Sequence, residues 1–266
     1  MSSRYWCLSD FDISSPIGSG RFGKVYLARE KRSKYICAIK VVRKKTIIKK
    51  KLENQLFYEI KSYKNLIHDN ILRFHGYFFD DDCVYMVLQY APRGNLGDYI
   101  EKFRKLDEKF VVRFFFQIVE GVNYIHNNGI IHRDLKPSNI MISISETPLI
   151  GDFGLAASCN TTKFESVVGT LDYLSPEVVS SLCYGTHSDI WSLGVILYEM
   201  LLGNTPFSGK TNSEIHESLT KANIILPDSI SSISRDLLAR LLEKDYQKRI
   251  SMKQLLFHPY RYSHEI

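Results

Sequence analysis

The hydrophobic pattern of the chain changes its period near residue 91. From Phe11 to about Met86 the apolar residues form short runs rich in β-branched and aromatic side chains, a pattern typical of strands. One stretch, about Leu52 to Leu66, has helical spacing instead. The segment Ala91–Gly94 contains a proline and a glycine, which interrupt regular structure. The pattern therefore predicts a small, mainly β lobe that ends directly before this segment.

Beyond residue 94 the apolar period is close to 3.6. The clearest case runs from Val111 to Ile125, where Asp107 can cap the start of a helix and Asn128-Gly129 can end it. The stretches 190–202 and 234–242 are also apolar on one side. We therefore expect an α+β fold with two lobes, a small antiparallel sheet with one main helix and a larger helical lobe. The expected domain covers 11–260, with small lobe 11–88, hinge 89–91 and large lobe 92–260, between an extension 1–10 and a tail 261–266.

Several polar motifs occur in a fixed order across both predicted lobes. A glycine-rich loop alone would be a weak signal, because it also occurs in dinucleotide-binding folds. Six such elements in one order over about 160 residues are hard to obtain by chance. Each suits one part of phosphoryl transfer from ATP. The elements are Gly18-Ser19-Gly20-Arg21-Phe22-Gly23, Lys40, Glu59, His132-Arg133-Asp134 with Asn139, Asp152-Phe153-Gly154, and Ser175-Pro176-Glu177.

The elements of the small lobe suit the nucleotide. Gly18, Gly20 and Gly23 have no Cβ, so backbone N–H groups can approach phosphates, and Val25 can lie against an adenine. As an isolated feature, this segment would more simply be a glycine-rich hairpin.

Lys40 lies in an apolar strand and needs an anionic partner, because burial of an unpaired ammonium is costly. Glu59 on the following helix is the predicted partner, and Glu53 is a rival. The pair would present the ammonium to the α- and β-phosphates.

The elements of the large lobe suit the transfer itself. Asp134 would accept the proton of the substrate hydroxyl or orient that hydroxyl, and Lys136 would lie against the γ-phosphate. Asn139 and Asp152 would hold Mg²⁺, which prefers oxygen ligands. An isolated Asp-Phe-Gly would more simply be a turn after a strand, but this one follows Asn139 by 13 residues.

The charge of the chain is concentrated in one segment. The net charge is +6, and the run from Arg43 to Lys51 contains six basic residues and no acidic one. We interpret the run as a solvated connection rather than a nuclear-import or nucleic-acid patch, since short lysine runs are common on surfaces. Five cysteines without metal-ligand spacing predict free thiols in a reducing compartment. No membrane span, signal peptide or direct nucleic-acid binding is expected.

The motif set resembles the eukaryotic protein kinases over essentially the whole chain. The lysine at position 136, between Asp134 and Asn139, resembles the pattern of the serine/threonine branch. Asn70-Ile71-Leu72-Arg73, Tyr90-Ala91-Pro92 and above all the stretch 169–174, Gly-Thr-Leu-Asp-Tyr-Leu, are similar to the Aurora family of mitotic kinases. The resemblance implies ATP and Mg²⁺ as cofactors, protein substrates such as histone and kinetochore proteins, and a nuclear and cytoplasmic enzyme that acts at chromosomes and the spindle. It also implies a monomeric catalytic domain that is activated by a scaffold segment on the small lobe.

The resemblance also assigns roles by position. It implies that Ser166 is the activation-loop phosphosite, with Arg133 as a partner of the phosphate. Glu199 and Thr170 are the substrate-binding candidates. The ATP-binding set consists of Ile17, Gly18, Ser19, Gly20, Arg21, Phe22, Gly23, Val25, Ala38, Lys40, the gatekeeper Leu88, the hinge residues Gln89 and Ala91, and Met141. Glu177 and Arg249 resemble the buried ion pair that ties the activation segment to the helical lobe.

The sequence departs from the Aurora pattern at several positions. Phe164 stands where an arginine is expected, two residues before the phosphosite. Ser138 stands where an acidic residue is expected before Asn139, and Leu155 replaces a tryptophan. Ser138 predicts a weakened preference for arginine two residues upstream of the phosphorylated residue, and Phe164 puts self-phosphorylation in trans in question. Leu155 predicts a change in how the activation loop is held. Two alternatives stay open: a catalytically inactive scaffold, and an active kinase of the cyclic-AMP-dependent or calmodulin-regulated type.

Overall fold

The small lobe is built on a five-stranded antiparallel sheet. The computed structural model describes residues 6–20, 23–161, 166–181, 183–207, 214, 217–219, 224 and 226–263. The order of the strands across the sheet is β1-β2-β3-β5-β4. The two-lobed α+β prediction is confirmed. The strands are β1 (Phe11–Ser19), β2 (Gly23–Glu30), β3 (Ile36–Arg43), β4 (Phe74–Phe79) and β5 (Cys83–Gln89).

Two helices, not one, follow β3 in the small lobe. Most of the basic run is exposed, as predicted for a solvated connection, but Lys44–Lys50 forms helix α1 ahead of α2 (Glu53–Lys64). Buried Ile47 anchors α1, and Lys51 ends it in the left-handed conformation. Seven residues with only two apolar side chains are too few to show a helical period. The predicted main helix agrees with α2 within two residues at each end.

An aromatic cluster covers the outer face of the sheet. Phe78 stacks on Phe11 with ring centroids 5.5 Å apart and on Tyr85 at 4.7 Å. Trp6, within the predicted N-terminal extension, packs edge-on against Phe11 at 5.6 Å. At least one residue of the extension is therefore packed into the small lobe.

The large lobe is mainly helical and carries two small sheets. The strand β6 pairs with β9, and β7 pairs with β8. Its elements are α3 (Leu96–Phe103), α4 (Glu108–Asn127), β6 (Ile130–Ile131), β7 (Ile140–Ile142), β8 (Pro148–Ile150), β9 (Ala157–Ser158), α5 (Pro176–Ser181), α6 (Thr186–Leu202), α7 (Ser232–Leu241) and α8 (Met252–Leu256).

Helix α4 is the centre of the large-lobe core. Its N-cap Asp107 accepts hydrogen bonds from the backbone N–H groups of Lys109 and Phe110, at 3.1 and 3.3 Å. Asn128 follows its last residue, so both predicted ends are confirmed. The other two predicted helices correspond to α6 and α7, which begin four and two residues earlier than expected.

All five cysteines have free thiols, as expected. Within the described ranges, none of the helices has the length and apolar content that crossing a bilayer would require.

Candidate active site

A cavity of about 890 Å³ lies between the two lobes. It is lined by the predicted ATP-binding residues Ile17, Gly18, Ser19, Gly20, Val25, Ala38, Lys40, Leu88, Gln89, Ala91 and Met141. Leu72 also lines it, and sequence reasoning gave this residue no role in the site, although it lies in the stretch Asn70-Ile71-Leu72-Arg73. Arg21 and Phe22 lie outside the described residues. A cleft with apolar walls and a few polar groups is the usual form of a small-molecule site.

The glycines of the loop between β1 and β2 have different surroundings. A Cβ on Gly18 would meet no atom within 4 Å, and one on Gly20 would meet none closer than 3.9 Å. A Cβ on Gly23 would lie 1.8 Å from the carbonyl oxygen of Val41 on β3. Gly18 and Gly20 therefore leave open space along the cleft, whereas Gly23 is needed for the pairing of β2 with β3.

Lys40 on β3 is almost fully buried between two carboxylates. Its Nζ lies 2.7 Å from Oε1 of Glu59 and 3.3 Å from Oδ1 of Asp152. Of the two candidate partners, Glu59 is the one in contact. Burial disfavours the ammonium, but Glu59 and Asp152 together raise the pKa of Lys40 above its ordinary value. Lys40 is thus a fixed positive charge in the cleft.

Tyr63 connects the helix of Glu59 to the Asp152 segment. The two residues are four positions apart on α2 and so lie on the same face. The Tyr63 hydroxyl accepts a 2.8 Å hydrogen bond from the backbone N–H of Asp152, and its ring meets Phe153 edge-on at 4.6 Å. Sequence reasoning missed Tyr63, although its spacing from Glu59 was a usable signal.

Asp152 has a strained backbone and a lowered pKa. Its φ angle is 56°, in the left-handed region. Burial acts to raise the pKa of its carboxyl group, but Lys40 outweighs this and holds the pKa below its ordinary value. Asp152 is therefore an ionised carboxylate at the base of the cleft.

The catalytic-loop side chains form one hydrogen-bonded network. Lys136 Nζ lies 2.9 Å from Oδ2 of Asp134 and donates to Oγ1 of Thr170 at 2.6 Å. The Thr170 hydroxyl donates to Oδ1 of Asp134 at 3.0 Å. The Asn139 amide donates to the backbone oxygen and Oδ2 of Asp134, at 2.9 and 3.1 Å. The structure thus brings together Asp134, Lys136, Asn139 and Thr170.

Asp189 of α6 holds the backbone of this loop and was missed by the sequence analysis. Its carboxylate accepts from the backbone N–H groups of His132 and Arg133, at 2.9 and 3.0 Å, and contacts His126 Nε2 at 2.8 Å. Burial would raise the pKa of Asp189, but these contacts lower it below the ordinary value. The available signal was an acidic side chain in the first turn of a largely apolar helix.

The candidate phosphosite and the candidate substrate-binding residues lie in different surroundings. Ser166 is exposed, and Phe164 lies outside the described residues. Oε2 of Glu199 accepts a 2.6 Å hydrogen bond from the Tyr173 hydroxyl, and burial raises the pKa of this glutamate. Ser138 is exposed at the cleft. Thr170 therefore lies in the catalytic network, whereas Glu199 is engaged by Tyr173.

Glu177 and Arg249 form a buried bidentate ion pair. Arg249 Nη1 and Nη2 lie 2.7 and 2.9 Å from the two carboxylate oxygens. Arg249 Nη1 also donates to the backbone oxygen of His187 at 2.8 Å, and its guanidinium lies 5.0 Å from the ring centroid of Trp191. Such pairs are the strong form of charge-assisted hydrogen bond.

The residues fit a nucleotide with Mg²⁺. The described residues contain no group of three or more His, Cys, Asp or Glu side chains that could hold a metal ion alone. Mg²⁺ in nucleotide sites is usually bound by one or two protein oxygen ligands, with phosphates and water completing its shell. Asp152, ionised and 35% exposed, and Asn139 supply such ligands beside the open space over Gly18 and Gly20.

A two-lobed fold with this charged cleft defines a protein kinase domain. In agreement, the protein kinase domain family matches residues 11–261. An Aurora kinase of Dictyostelium discoideum is 38% identical over 259 residues, which cover 97% of this chain and 67% of that protein. An Aurora kinase of Patiria pectinifera is 40% identical over 255 residues, covering 95% of this chain and 63% of that protein. Aurora kinase C of Mus musculus is 36% identical over 261 residues, covering 98% of this chain and 95% of that protein.

The chain belongs to the Aurora family of protein serine/threonine kinases. It spans about two thirds of the length of the first two relatives. Kinases of this family use ATP and Mg²⁺, and they act on proteins.

Proposed function

We propose that this chain transfers the γ-phosphoryl group of ATP to serine and threonine hydroxyls of proteins that act in mitosis. The observation that carries this proposal is the assembled cleft, in which Lys40 is paired with Glu59 and Asp134 is joined to Lys136 and Thr170. In the proposed arrangement Lys40 binds the α- and β-phosphates, and Asp134 orients the substrate hydroxyl and accepts its proton. Lys136 neutralises charge on the γ-phosphate. Asn139 and Asp152 would hold Mg²⁺, which would neutralise charge on the phosphates.

Transfer of labelled phosphate tests this proposal. The purified chain, with ATP and Mg²⁺, should phosphorylate serine and threonine peptides, whereas Asp134→Asn and Asp152→Asn should lose at least about 100-fold in rate. Asp81→Asn, in the exposed β4–β5 loop, is the matched control and should retain wild-type activity. Binding of ATP without transfer by the wild-type chain would favour the inactive scaffold instead.

We propose that Ser138 weakens selection for arginine upstream of the phosphorylated residue. Ser138 is exposed at the cleft but carries no charge, and Glu199 is engaged by the Tyr173 hydroxyl. Peptides with Arg, Ala or Glu at the second and third upstream positions should be phosphorylated at rates within about 10-fold of one another. Ser138→Glu should restore a preference for arginine at the second position. A strong preference in the wild-type chain would contradict this proposal.

We also propose that an activating segment of a scaffold protein docks on the small lobe and acts through α2. Large apolar side chains are exposed there: Phe57 on α2 is 62% exposed and Phe79 on β4 is 67% exposed. A segment packed on them would bias the position of Glu59. Phe79→Ser should leave the basal activity of the purified chain unchanged and lower its activity in cells, and equal activity in cells would contradict the proposal.

The mitotic role and the proposed location at chromosomes and the spindle can be tested together. Leu88→Gly removes the gatekeeper side chain and so enlarges the ATP pocket. A bulky ATP-competitive inhibitor should therefore act on the variant and not on wild type. Chromosome segregation should then fail only in cells that carry the variant. Normal segregation under complete inhibition would contradict a mitotic role.

A further inference from the structure

Tyr184 binds both backbone groups of one residue in the activation segment. It lies between α5 and α6 and is 8% exposed. Its hydroxyl accepts a 2.7 Å hydrogen bond from the N–H of Val168 and donates to the carbonyl oxygen of Val168, also at 2.7 Å. Its ring packs in a small apolar cluster with Leu174 and Val178. One hydroxyl thus fixes the position of Val168 relative to the helical lobe.

The ring of Tyr184 contacts the arginine of the catalytic loop. The guanidinium of Arg133 lies 5.3 Å from the ring centroid, within the range of a cation–π contact. Nε of Arg133 also donates a 2.6 Å hydrogen bond to the carbonyl oxygen of Leu155, the residue directly after Asp-Phe-Gly. Arg133 therefore links the Asp152 segment to Tyr184.

The position of Val168 is passed on to the catalytic network through two residues. Gly169 has φ 111°, and a Cβ there would lie 2.7 Å from the carbonyl oxygen of Arg133. Thr170 follows and donates to Asp134 at 3.0 Å. Because Gly169 packs directly on the catalytic loop, a shift of Val168 would displace the Thr170 hydroxyl from Asp134.

We propose that Tyr184 is a positioning residue that holds 168–170 against the catalytic loop, so that the Thr170 hydroxyl stays on Asp134. The hydroxyl holds Val168, and the ring holds Arg133. The inference rests on the proposed roles of Asp134 and Thr170 in transfer.

Tyr184→Phe tests the hydroxyl, because the variant keeps the ring and loses both hydrogen bonds to Val168. In dephosphorylated full chain, kcat/KM for a peptide should fall about 10-fold or more, while KM for ATP stays within about 2-fold. A smaller amount of folded protein would lower the apparent kcat and leave both KM values unchanged, so the rates are normalised to the folded fraction measured by near-UV circular dichroism. The control is Tyr246→Phe, whose ring stacks on His187 at 4.6 Å and whose side chain is 38% exposed. It should behave as wild type.

The peptide kinetics can also overturn the inference. Full peptide kcat/KM in Tyr184→Phe would show that the hydroxyl does not hold 168–170 in the catalytic arrangement.

Hydrogen exchange separates this inference from the proposed function. The N–H of Val168 should exchange at least about 10-fold faster in Tyr184→Phe than in wild type, whether or not the chain transfers phosphate. A wild-type chain that transfers no phosphate would defeat the proposed function. An unchanged exchange rate in the variant would defeat the role of Tyr184.

Discussion

At the scale of single residues, the cleft depends on charges that balance one another. Lys40 is a buried ammonium with two carboxylates in contact, and only one oxygen of Glu59 has a hydrogen-bond partner among the described residues. A buried pair of this kind contributes little net stability, but removal of one partner leaves an uncompensated charge. The pair is therefore better understood as a device that places Lys40 than as a source of stability.

Glu59→Gln should lower kcat/KM for ATP by about 10- to 100-fold, because a neutral amide replaces the charge that holds Lys40. Steady-state kinetics at varied ATP concentration measure this change. Glu53→Gln, on an exposed residue of the same helix, is the matched control and should have no effect. Equal losses of kcat/KM in the two variants would show that the loss does not come from the pairing of Glu59 with Lys40.

Thr170→Val should lower kcat by about 10- to 100-fold and leave KM for ATP unchanged. Valine keeps the shape of the side chain but can neither donate to Asp134 nor accept from Lys136. Thr170→Ser retains the hydroxyl and should keep most of the activity. Similar rates for the valine and serine variants would contradict the network described above.

At the scale of elements, local patterns predicted what local contacts determine. Helix α4 was predicted with both ends because its cap and its apolar face lie within its own sequence. Helix α1 was missed because one buried residue, Ile47, and a left-handed cap at Lys51 define it. Asp189 and Tyr184 were missed because they act on partners in other elements: Asp189 binds His132, 57 positions away, and Tyr184 binds Val168, 16 positions away.

Asp189→Asn should lower the free energy of unfolding by about 2–4 kcal/mol, since an amide presents one acceptor oxygen where the carboxylate accepts from His132 and Arg133. The melting temperature should fall by roughly 5–15 °C. Asp228→Asn, whose side chain is 97% exposed, should have no effect. A melting temperature equal to that of wild type would remove Asp189 from the support of the loop.

The same variant should change how stability depends on acid. The folded-state pKa of Asp189 lies below the ordinary value of 3.8, so its contribution is present above that pH and is lost as the pH falls through the folded-state pKa. The difference in unfolding free energy between wild type and Asp189→Asn should therefore be constant from pH 7 to about 5 and shrink below about 4. Urea unfolding at several pH values measures it, and a difference independent of pH would contradict the assigned shift.

At the scale of the whole molecule, the ordered motifs were enough to predict the class, the two lobes and the residues of the cleft. They favoured Glu59 over Glu53 as the partner of Lys40, but both lie on the helix after Lys40 and only the packing of α2 against the sheet decides. They could not distinguish the structural Gly23 from Gly18 and Gly20. These choices depend on how separate elements pack against one another. The spacing of residues along the sequence does not determine that packing.

Arg249→Ala should lower the melting temperature and the activity together. The substitution leaves Glu177 as a buried carboxylate without its guanidinium, at a cost of about 3–5 kcal/mol. Because α5 begins directly after the activation segment, the loss should also disturb 168–170. Lys248→Ala, at the neighbouring position with a side chain 77% exposed, is the control. A variant with unchanged melting temperature would show that the pair has no structural role.

The different surroundings of the loop glycines have a consequence for drug resistance. Substitutions at Gly18 or Gly20 enter open space, so the chain can fold and still exclude an inhibitor that competes with ATP. A substitution at Gly23 would separate β2 from β3, the strand that carries Lys40, and so destroy the enzyme together with the drug site. A selection for growth under such an inhibitor should recover changes at the first two glycines and none at the third.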